Sequence, residues 1–411
     1  MSKNIVVLGL GQNNFLSYLY SALKIHHNDY QITAPYIKDL NDESKDESWM
    51  YDNQKVVFNP HLGYYVYSFL RILYNKYTYI FFHYLIFVEG NWKKAFHFLF
   101  QFLKEQAFLK ANNSFEDFPI AHFHFMQYSY VRNVFLLPKE KKIICSFWGS
   151  DLLRTSDHFN HFIIQKVLNR AEIITCQTPE MKEIILAKYG RALEDKIRLN
   201  LFPLDRFTYE NIDLYRNDEL EIQEFKSKFG FHPSKKNILI GHNGNQSNQQ
   251  IAVIQALSKL NNSKDYHLIV NLNYGCPPQE LEAFKVILEK HLIASNTTYY
   301  INQHFYNKKE LALSRLATDI FIHVPISDAL SGSVLEMLYA NTQVITGSWL
   351  NYKTFKNANL DYLELQTIDE LIELFTNPVI AKSTASNVNK VKENFNNAAI
   401  IARWHQTFQK L

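Results

Sequence analysis

Cysteine is scarce in this chain of 411 residues, which holds three: Cys145, Cys176 and Cys276. An odd count without metal-ligand spacing excludes a disulfide framework and a cysteine zinc site, and fits a reducing compartment. Cys145 and Cys176 each fall in an apolar run that reads as a strand, where buried thiols are common. An excess of one charge is missing too. Lys plus Arg number 43 against 40 Asp plus Glu, a net +3, which excludes a dedicated nucleic-acid binder though not a local basic patch. No low-complexity tract appears, and 47% apolar with 20% charged residues excludes disorder as the main state. A hydrophobic run of membrane-spanning length is absent: Tyr77–Val88 offers 12 residues where a spanning helix needs roughly 20. The first apolar run, Ile5–Leu10, lacks a small-residue cleavage site and reads as a strand rather than a signal peptide. The expectation is a cytoplasmic protein.

At this length one compact core does not suffice, so two domains are expected. Short β-rich runs alternate with amphipathic stretches. Ile5–Leu10 reads as a strand and Phe15–Ile25 as a helix; Ile120–Phe125, Lys142–Phe147 and Glu172–Cys176 read as strands, with a helix at His161–Asn169. Thr178-Pro179-Glu180 opens the next helix with a cap residue followed by Pro at the first helical position. The rhythm breaks around Asn200–Pro233, where Asn211–Glu224 is dense in charge, then resumes. Asn237–Gly241, His267–Leu272, Thr297–Ile301, Ile320–Val324 and Gln343–Thr346 read as strands. Asn248–Leu260, Pro278–His291, Lys308–Leu316 and Ser333–Ala340 read as the helices between them. This predicts an α/β protein of two doubly wound Rossmann-like domains, 1–205 and 206–388, with a closing helix at 389–411 carrying Trp404 and Phe408. Ligands of such sheets bind outside the carboxyl ends of the strands, so a cleft is expected.

One constellation carries most of the chemistry. Asp328-Ala-Leu-Ser-Gly-Ser-Val-Leu-Glu336 follows an apolar strand and leads into a helix. The small residues Ser331, Gly332 and Ser333 would leave amides pointing out of a helix N-terminus, where the dipole attracts a phosphate without a metal. Asp328 would meet a sugar ring and Glu336 the ribose hydroxyls. Glu336 has a structural rival role, because Ser333-Val-Leu-Glu336 also fits a capping box. A second turn, Gly241-His-Asn-Gly-Asn-Gln-Ser-Asn248, places Gly244, Asn245, Ser247 and Asn248 between a strand and a helix, where they can cap the helix and leave amides facing a donor. Ordinary capping explains such a turn as well.

Asp328 and Glu336, with seven residues between them, resemble the E-x7-E element of family 4 glycosyltransferases of the GT-B fold, with Asp for the first Glu. The resemblance implies that the first carboxylate contacts the donor sugar, the second holds the ribose and the amides between them hold the diphosphate. It also implies retention of anomeric configuration and a closing helix that crosses back to the N-terminal domain. The Gly241–Asn248 turn is similar to that of the 4-acetamido-4,6-dideoxygalactose transferases of enterobacterial common antigen, which leave the stereochemistry open. Many family 4 members place a basic residue near this turn. No Lys or Arg lies between Gly241 and Leu257, so Lys235, Lys236, Lys308 or an Arg of the first domain must serve, or amides suffice.

In the first domain, Gly9-Leu-Gly11-Gln-Asn-Asn follows the first strand but lacks the third glycine of a dinucleotide fingerprint. Gly11, Gln12 and Asn13 read as a turn where an acceptor or donor approaches the backbone. His122 and His124 share one strand face. His124 is a candidate catalytic contact, with a satisfied core histidine as its alternative; a metal reading finds no third ligand nearby. Asp151, in Trp148-Gly-Ser-Asp151, is either a helix cap or a catalytic residue of the cleft. Family 4 members carry a similar turn with His where Trp148 stands.

No Asp-x-Asp pair is present, so no metal and no other cofactor is expected. The reading is a metal-independent glycosyltransferase of hexosyl type in cell-surface polysaccharide synthesis, with a nucleotide-sugar donor and a saccharide or polyprenyl-linked saccharide acceptor. The stretch Tyr64–Lys110, crowded with aromatics and carrying Arg71, Lys76, Lys93, Lys94, Lys104 and Lys110, reads either as a buried element or as a surface that meets the inner face of the membrane. A nucleotide-sugar epimerase and a non-catalytic scaffold are the rival readings.

Overall fold

The computed structural model describes residues 3–10, 14–34, 59–112, 118–155, 157–260, 263–376 and 386–411. The chain divides into two compact units, Met1–Pro203 joined by Asn397–Leu411, and Leu204–Asn396.

In the first unit, β1 (Lys3–Gly9), β2 (Tyr30–Thr33), β3 (Ile120–His124), β4 (Lys142–Ser146), β5 (Ile173–Cys176) and β6 (Ile197–Leu199) form a parallel sheet. Their order is β2-β1-β3-β4-β5-β6. β3 and β5 are buried along their whole length, as strands covered by helices on both faces must be. β1 pairs with β3 in the register Val7↔His122 and Gly9↔His124. At Gly9, with φ +103°, an added Cβ would lie 2.1 Å from the His124 carbonyl oxygen, so the end of β1 admits only glycine. The helix Pro179–Tyr189 begins where its sequence signal says: Thr178 accepts from the Met181 amide at 3.2 Å, and Pro179 holds the first position.

The aromatic stretch folds as α2 (Leu62–Leu73), α3 (Lys76–His83), a π-helical turn (Tyr84–Val88) and α4 (Trp92–Ala111). Asn75 and Asn91 cap α3 and α4 by accepting from the amides of Tyr77 and Lys94, each at 2.9 Å. Phe81, Phe98 and Phe102 are buried, whereas Tyr79, Phe87, Trp92 and Phe96 are exposed. The segment is thus half core and half surface rather than a buried element. Among the described residues no helix is long and apolar enough to cross a membrane.

In the second unit, β7 (Lys236–Ile240), β8 (Tyr266–Asn271), β9 (Thr298–Asn302), β10 (Ile320–His323), β11 (Gln343–Gly347) and β12 (Leu363–Leu365) form a parallel sheet ordered β12-β11-β10-β7-β8-β9. β7 has β8 on one side and β10 on the other, so the strand order reverses at β7/β10 and a crevice opens beyond their carboxyl ends. The charge-dense stretch before β7 is helical, Arg206–Tyr215 and Glu219–Lys228. Ile212, Ile222 and Phe225 turn inward, while Arg206–Glu210 and Lys309–Glu221 pairs occupy the outside.

The expected single closing helix is two, Ser386–Asn394 and Asn397–Gln409, and the division between the units falls between them. The break carries Asn394, Asn396 and Asn397, residues whose side chains compete with helix continuation. The last helix lies in the first unit: Ile400, Ile401, Trp404 and Phe408 share a core with Leu16, Leu19, Tyr20 and Leu23 of α1 (Asn14–His26). Trp404 Nε1 donates to the Leu201 carbonyl at 2.7 Å.

Candidate active site

The loops leaving β7 and β10 meet at the point of reversal. The Ile326 amide donates to the Ser247 carbonyl at 2.8 Å, and Gln249 Nε2 to the Val324 carbonyl at 2.6 Å. After the β10 loop comes the helix Gly332–Tyr339. Its cap is Ser331, whose Oγ accepts from the Val334 amide at 3.3 Å. The capping box weighed for Ser333 and Glu336 therefore does not form, because the helix starts two residues earlier than that box requires. The amides of Gly332 and Ser333 have no protein acceptor among the described residues, and a Cβ on Gly332 would meet no atom within 4 Å. Two uncommitted donors at the positive end of a helix dipole, opening onto free space, are of the chemistry that receives an anion.

One turn further in, Glu336 meets a cation that sequence reading missed. Arg315, on the helix Lys308–Leu316, donates from Nε and from a terminal nitrogen to Glu336 Oε2, at 3.0 and 2.8 Å. The two side chains are 6% and 16% exposed. Both bonds fall on one oxygen, leaving Oε1 without a partner among the described residues. The cations weighed from sequence lie elsewhere. Lys235 and Lys236 stand at the amino end of β7, with Lys235 on Thr298, a strand length away from the crevice, and Lys308 is paired with Asp205.

Asp328, read from sequence as the carboxylate that meets a sugar ring, is held in place by three contacts. Tyr352, from the segment after β11, donates to its Oδ2 at 2.7 Å. His323, the last residue of β10 and fully buried, lies 3.2 Å from the same oxygen. Oδ1 accepts from the Ala329 amide at 2.9 Å. Burial pushes the Asp328 pKa up, but the bonds from His323 and Tyr352, and His242 nearby, hold it below the ordinary aspartate value. The His242 ring lies 5.4 Å from that of His323. A carboxylate held ionised and aimed in this way can face positive charge developing on a ligand. Nδ1 of His323 is buried without a hydrogen-bond partner.

The β7 turn is more self-contained than its sequence implied. The Gly244 amide donates to the Tyr274 carbonyl at 2.7 Å, that of Asn245 to Asn243 Oδ1 at 3.0 Å and that of Ser247 to Asn245 Oδ1 at 2.9 Å. The amide of Asn248 is engaged as well, and its side chain is buried on Asn243. Asn245 caps the short turn Gln246–Asn248, and the helix itself begins at Gln250 behind a left-handed Gln249, φ +57°. The amides expected to face a donor here are spent on holding the loop.

In the first unit, Gly11, Gln12 and Asn13 lie outside the described residues. His124 is fully buried and both its ring nitrogens are engaged, the surroundings of a core histidine. Indole is only a donor, so Trp148 Nε1 donating to His124 Nδ1 at 3.3 Å fixes a chain of bonds. His124 Nε2 donates to Tyr20 Oη at 2.7 Å, Tyr20 to His122 Nδ1 at 2.8 Å and His122 Nε2 to Ser146 Oγ at 2.6 Å. Burial keeps both imidazoles neutral, His122 at about 3. Asp151 is fully buried and braces its own turn, accepting from the amides of Trp148 and Gly149 at 2.9 Å and of Met126 at 2.7 Å. The group spaced to hold a metal ion among the described residues, His27, Asp29 and His405, belongs to this unit.

No known family profile matches the chain, and no curated protein matches it. Solved structures do. Anabaena HepE in complex with UDP shares 12% identity over 100% of both chains at a TM-score of 0.65, and is also solved with UDP-glucose. An α,α-trehalose-phosphate synthase (UDP-forming) from Burkholderia vietnamiensis shares 12% identity over 100% of this chain and 97% of its own, at 0.63. WaaG, a glycosyltransferase of lipopolysaccharide biosynthesis, shares 11% over 98% and 99%, at 0.59. At such identities the likeness is one of fold. The fold is that of the GT-B glycosyltransferases.

Proposed function

We propose that the protein is a glycosyltransferase that moves a hexosyl group from a UDP-sugar to a saccharide or polyprenyl-linked saccharide during cell-surface polysaccharide synthesis. It works in the cytoplasm at the inner face of the membrane, without a metal ion and with retention of configuration. The observation that carries this is the uncommitted amide pair of Gly332 and Ser333, flanked by Asp328 and by Glu336 with its buried Arg315, at the reversal point of the second sheet. The amides and the Arg315 guanidinium receive the diphosphate, Glu336 Oε1 accepts from the ribose, and Asp328 faces the sugar ring. As the anomeric carbon–oxygen bond breaks, charge passes to the diphosphate and the carbon becomes oxocarbenium-like. The acceptor hydroxyl bonds to that carbon and its proton goes to the departing phosphate oxygen. The Asp328–Glu336 spacing supports family 4, and the Gly241–Asn248 turn a transferase of dideoxygalactose type. The UDP, UDP-glucose and lipopolysaccharide in the names of proteins of like fold support the donor and the pathway class.

The test is a panel of nucleotide sugars with EDTA present, read for binding and for UDP release that depends on a lipid or saccharide acceptor. Acceptor-dependent release of UDP is the expected result. Isomerised donor without release would make the protein an epimerase, and absence of nucleotide binding would sink the enzyme reading.

A further inference from the structure

The block α2–α4 carries an apolar surface that the described residues leave uncovered. Val66, Leu70 and Tyr74 recur at helical spacing along α2 and its end, 53%, 50% and 90% exposed, and Trp92, Phe96 and Phe100 do the same on α4, at 59%, 61% and 52%. Phe87 and Val88, at the end of the π turn, are also exposed. Each stripe runs opposite the face its helix buries, since Phe98 and Phe102 of α4 and Ile72 of α2 point inward. A patch of this extent marks an interaction site.

Charge decides which partner fits. Residues 59–112 contain six basic residues and two acidic ones, Glu89 and Glu105. Glu89 is paired with Lys94 at 2.6 Å, and Glu105 is turned inward onto Arg132 and Asn133. Lys76, Lys93 and Lys104 meet no carboxylate among the described residues. Their ammonium groups instead lie 5.4, 6.0 and 5.0 Å from the ring centres of Tyr77, Trp92 and Phe100. Cations perched on exposed rings, Trp92 and Phe100, and on the half-buried Tyr77 suit a boundary where rings enter hydrocarbon and ammonium groups stay with anionic headgroups.

We propose that α2, α3, the π turn and α4 together form the docking surface for an anionic lipid bilayer, on which the protein rests without crossing it. The inference rests on the lipid-linked acceptor reading and gives that acceptor its place of encounter. An open apolar groove of ≈ 420 Å³ beside it, between the π turn and the helix His158–Arg170, includes Tyr79 and Val88 of the same surface and is lined also by Tyr84, Phe159 and Phe162. It offers a hydrocarbon chain a contact continuous with the leaflet.

The full chain is sedimented with vesicles of phosphatidylglycerol and phosphatidylcholine, and with phosphatidylcholine alone. Binding to the anionic vesicles is expected to exceed binding to the neutral ones by at least tenfold. The triple variant Lys76→Ser, Lys93→Ser, Lys104→Ser should lose on the order of a hundredfold on anionic vesicles, and Trp92→Ser with Phe96→Ser should weaken binding to them as well. UDP binding, measured on the same samples, should stay unchanged. Equal binding to both vesicle types, none to either, or full binding by both variants would overturn the proposal. A dimer in light scattering that the Trp92/Phe96 variant dissociates would overturn it too, by assigning the surface to a second copy. Loss of nucleotide binding with vesicle binding intact would instead sink the enzyme reading alone.

Discussion

Arg315 and Glu336 meet through two N–H donors on a single carboxylate oxygen, Oε2, at 3.0 and 2.8 Å. That asymmetry keeps the buried guanidinium neutralised while the second oxygen stays available to a ligand hydroxyl. Glu336→Gln preserves shape and an acceptor for Arg315 but removes the charge. A hydrogen bond to a charged group is worth about 1.5–3 kcal/mol, so UDP affinity should fall roughly 10- to 100-fold. Calorimetric titration of UDP into both proteins checks it. Unchanged affinity in a folded variant would leave Glu336 as a structural partner of Arg315 only.

Asp328 predicts a different kinetic signature. Its carboxylate is fixed by Tyr352 and His323 and would act on charge that appears only during transfer. Asp328→Asn should therefore lower kcat by about 10²–10³ and change UDP affinity less than threefold. Tyr352→Phe, which removes one of the bonds holding the carboxylate and leaves those from His323 and the Ala329 amide, should fall between the variant and the wild type. A change in UDP affinity as large as the change in kcat would remove Asp328 from the reacting end of the donor.

What could be read in advance follows from how local each signal is. The β10–turn–helix unit was legible because an apolar run, three small residues and two carboxylates stand consecutively at 320–336. Its helix start was misplaced by one residue because Ser331 and Ser333 both suit a cap. Arg315, His323 and Tyr352 were missed because each reaches the site from another element. His323 had a signal, an imidazole closing a buried strand; Arg315 had none until its helix packed against Glu336. The aromatic block hid its helices because large apolar residues on both faces erase the period of 3.6. In the β7 turn, Asn243 attracts the amide hydrogens that a Gly- and Asn-rich sequence promised to a ligand.

Gly332 separates helix stability from ligand approach. A methyl group there would touch nothing within 4 Å, and alanine is the better helix former, so Gly332→Ala should leave stability unchanged or raise it by about 0.5–1 kcal/mol. The same methyl would stand beside the free amides, so affinity for UDP should drop while affinity for uridine does not. Thermal unfolding and paired titrations with UDP and uridine give both numbers. Equal losses for the two ligands would place the diphosphate elsewhere.

The histidine chain in the first unit predicts a loss of stability without a loss of chemistry. Tyr20 Oη lies between His124 Nε2 and His122 Nδ1, at 2.7 and 2.8 Å. Tyr20→Phe leaves two buried imidazole nitrogens without partners, at a cost of about 1–3 kcal/mol each in the limit of no relaxation. Urea unfolding should show a lower midpoint, with kcat within a factor of two. A fall in kcat at full stability would return His124 to the catalytic set.

Asp151 carries a pH dependence whose sign is set by burial. Loss of solvent pushes its pKa up to about 6, against the pull of the amides of Met126, Trp148 and Gly149, whereas an unfolded aspartate titrates near 3.9. With the folded value the higher one, the native state binds the proton more tightly. The stabilisation from protonation is full below about pH 4 and is lost as pH rises through about 6. Between pH 4.5 and 7.5 this one group should therefore shift the unfolding free energy by about 2 kcal/mol toward lower stability. Asp151→Asn cannot show that shift, so the wild-type-minus-variant difference should be more favourable at pH 4.5 than at 7.5 by about that amount. A difference that stays flat across this range would mean that the three amides outweigh burial and hold Asp151 ionised throughout.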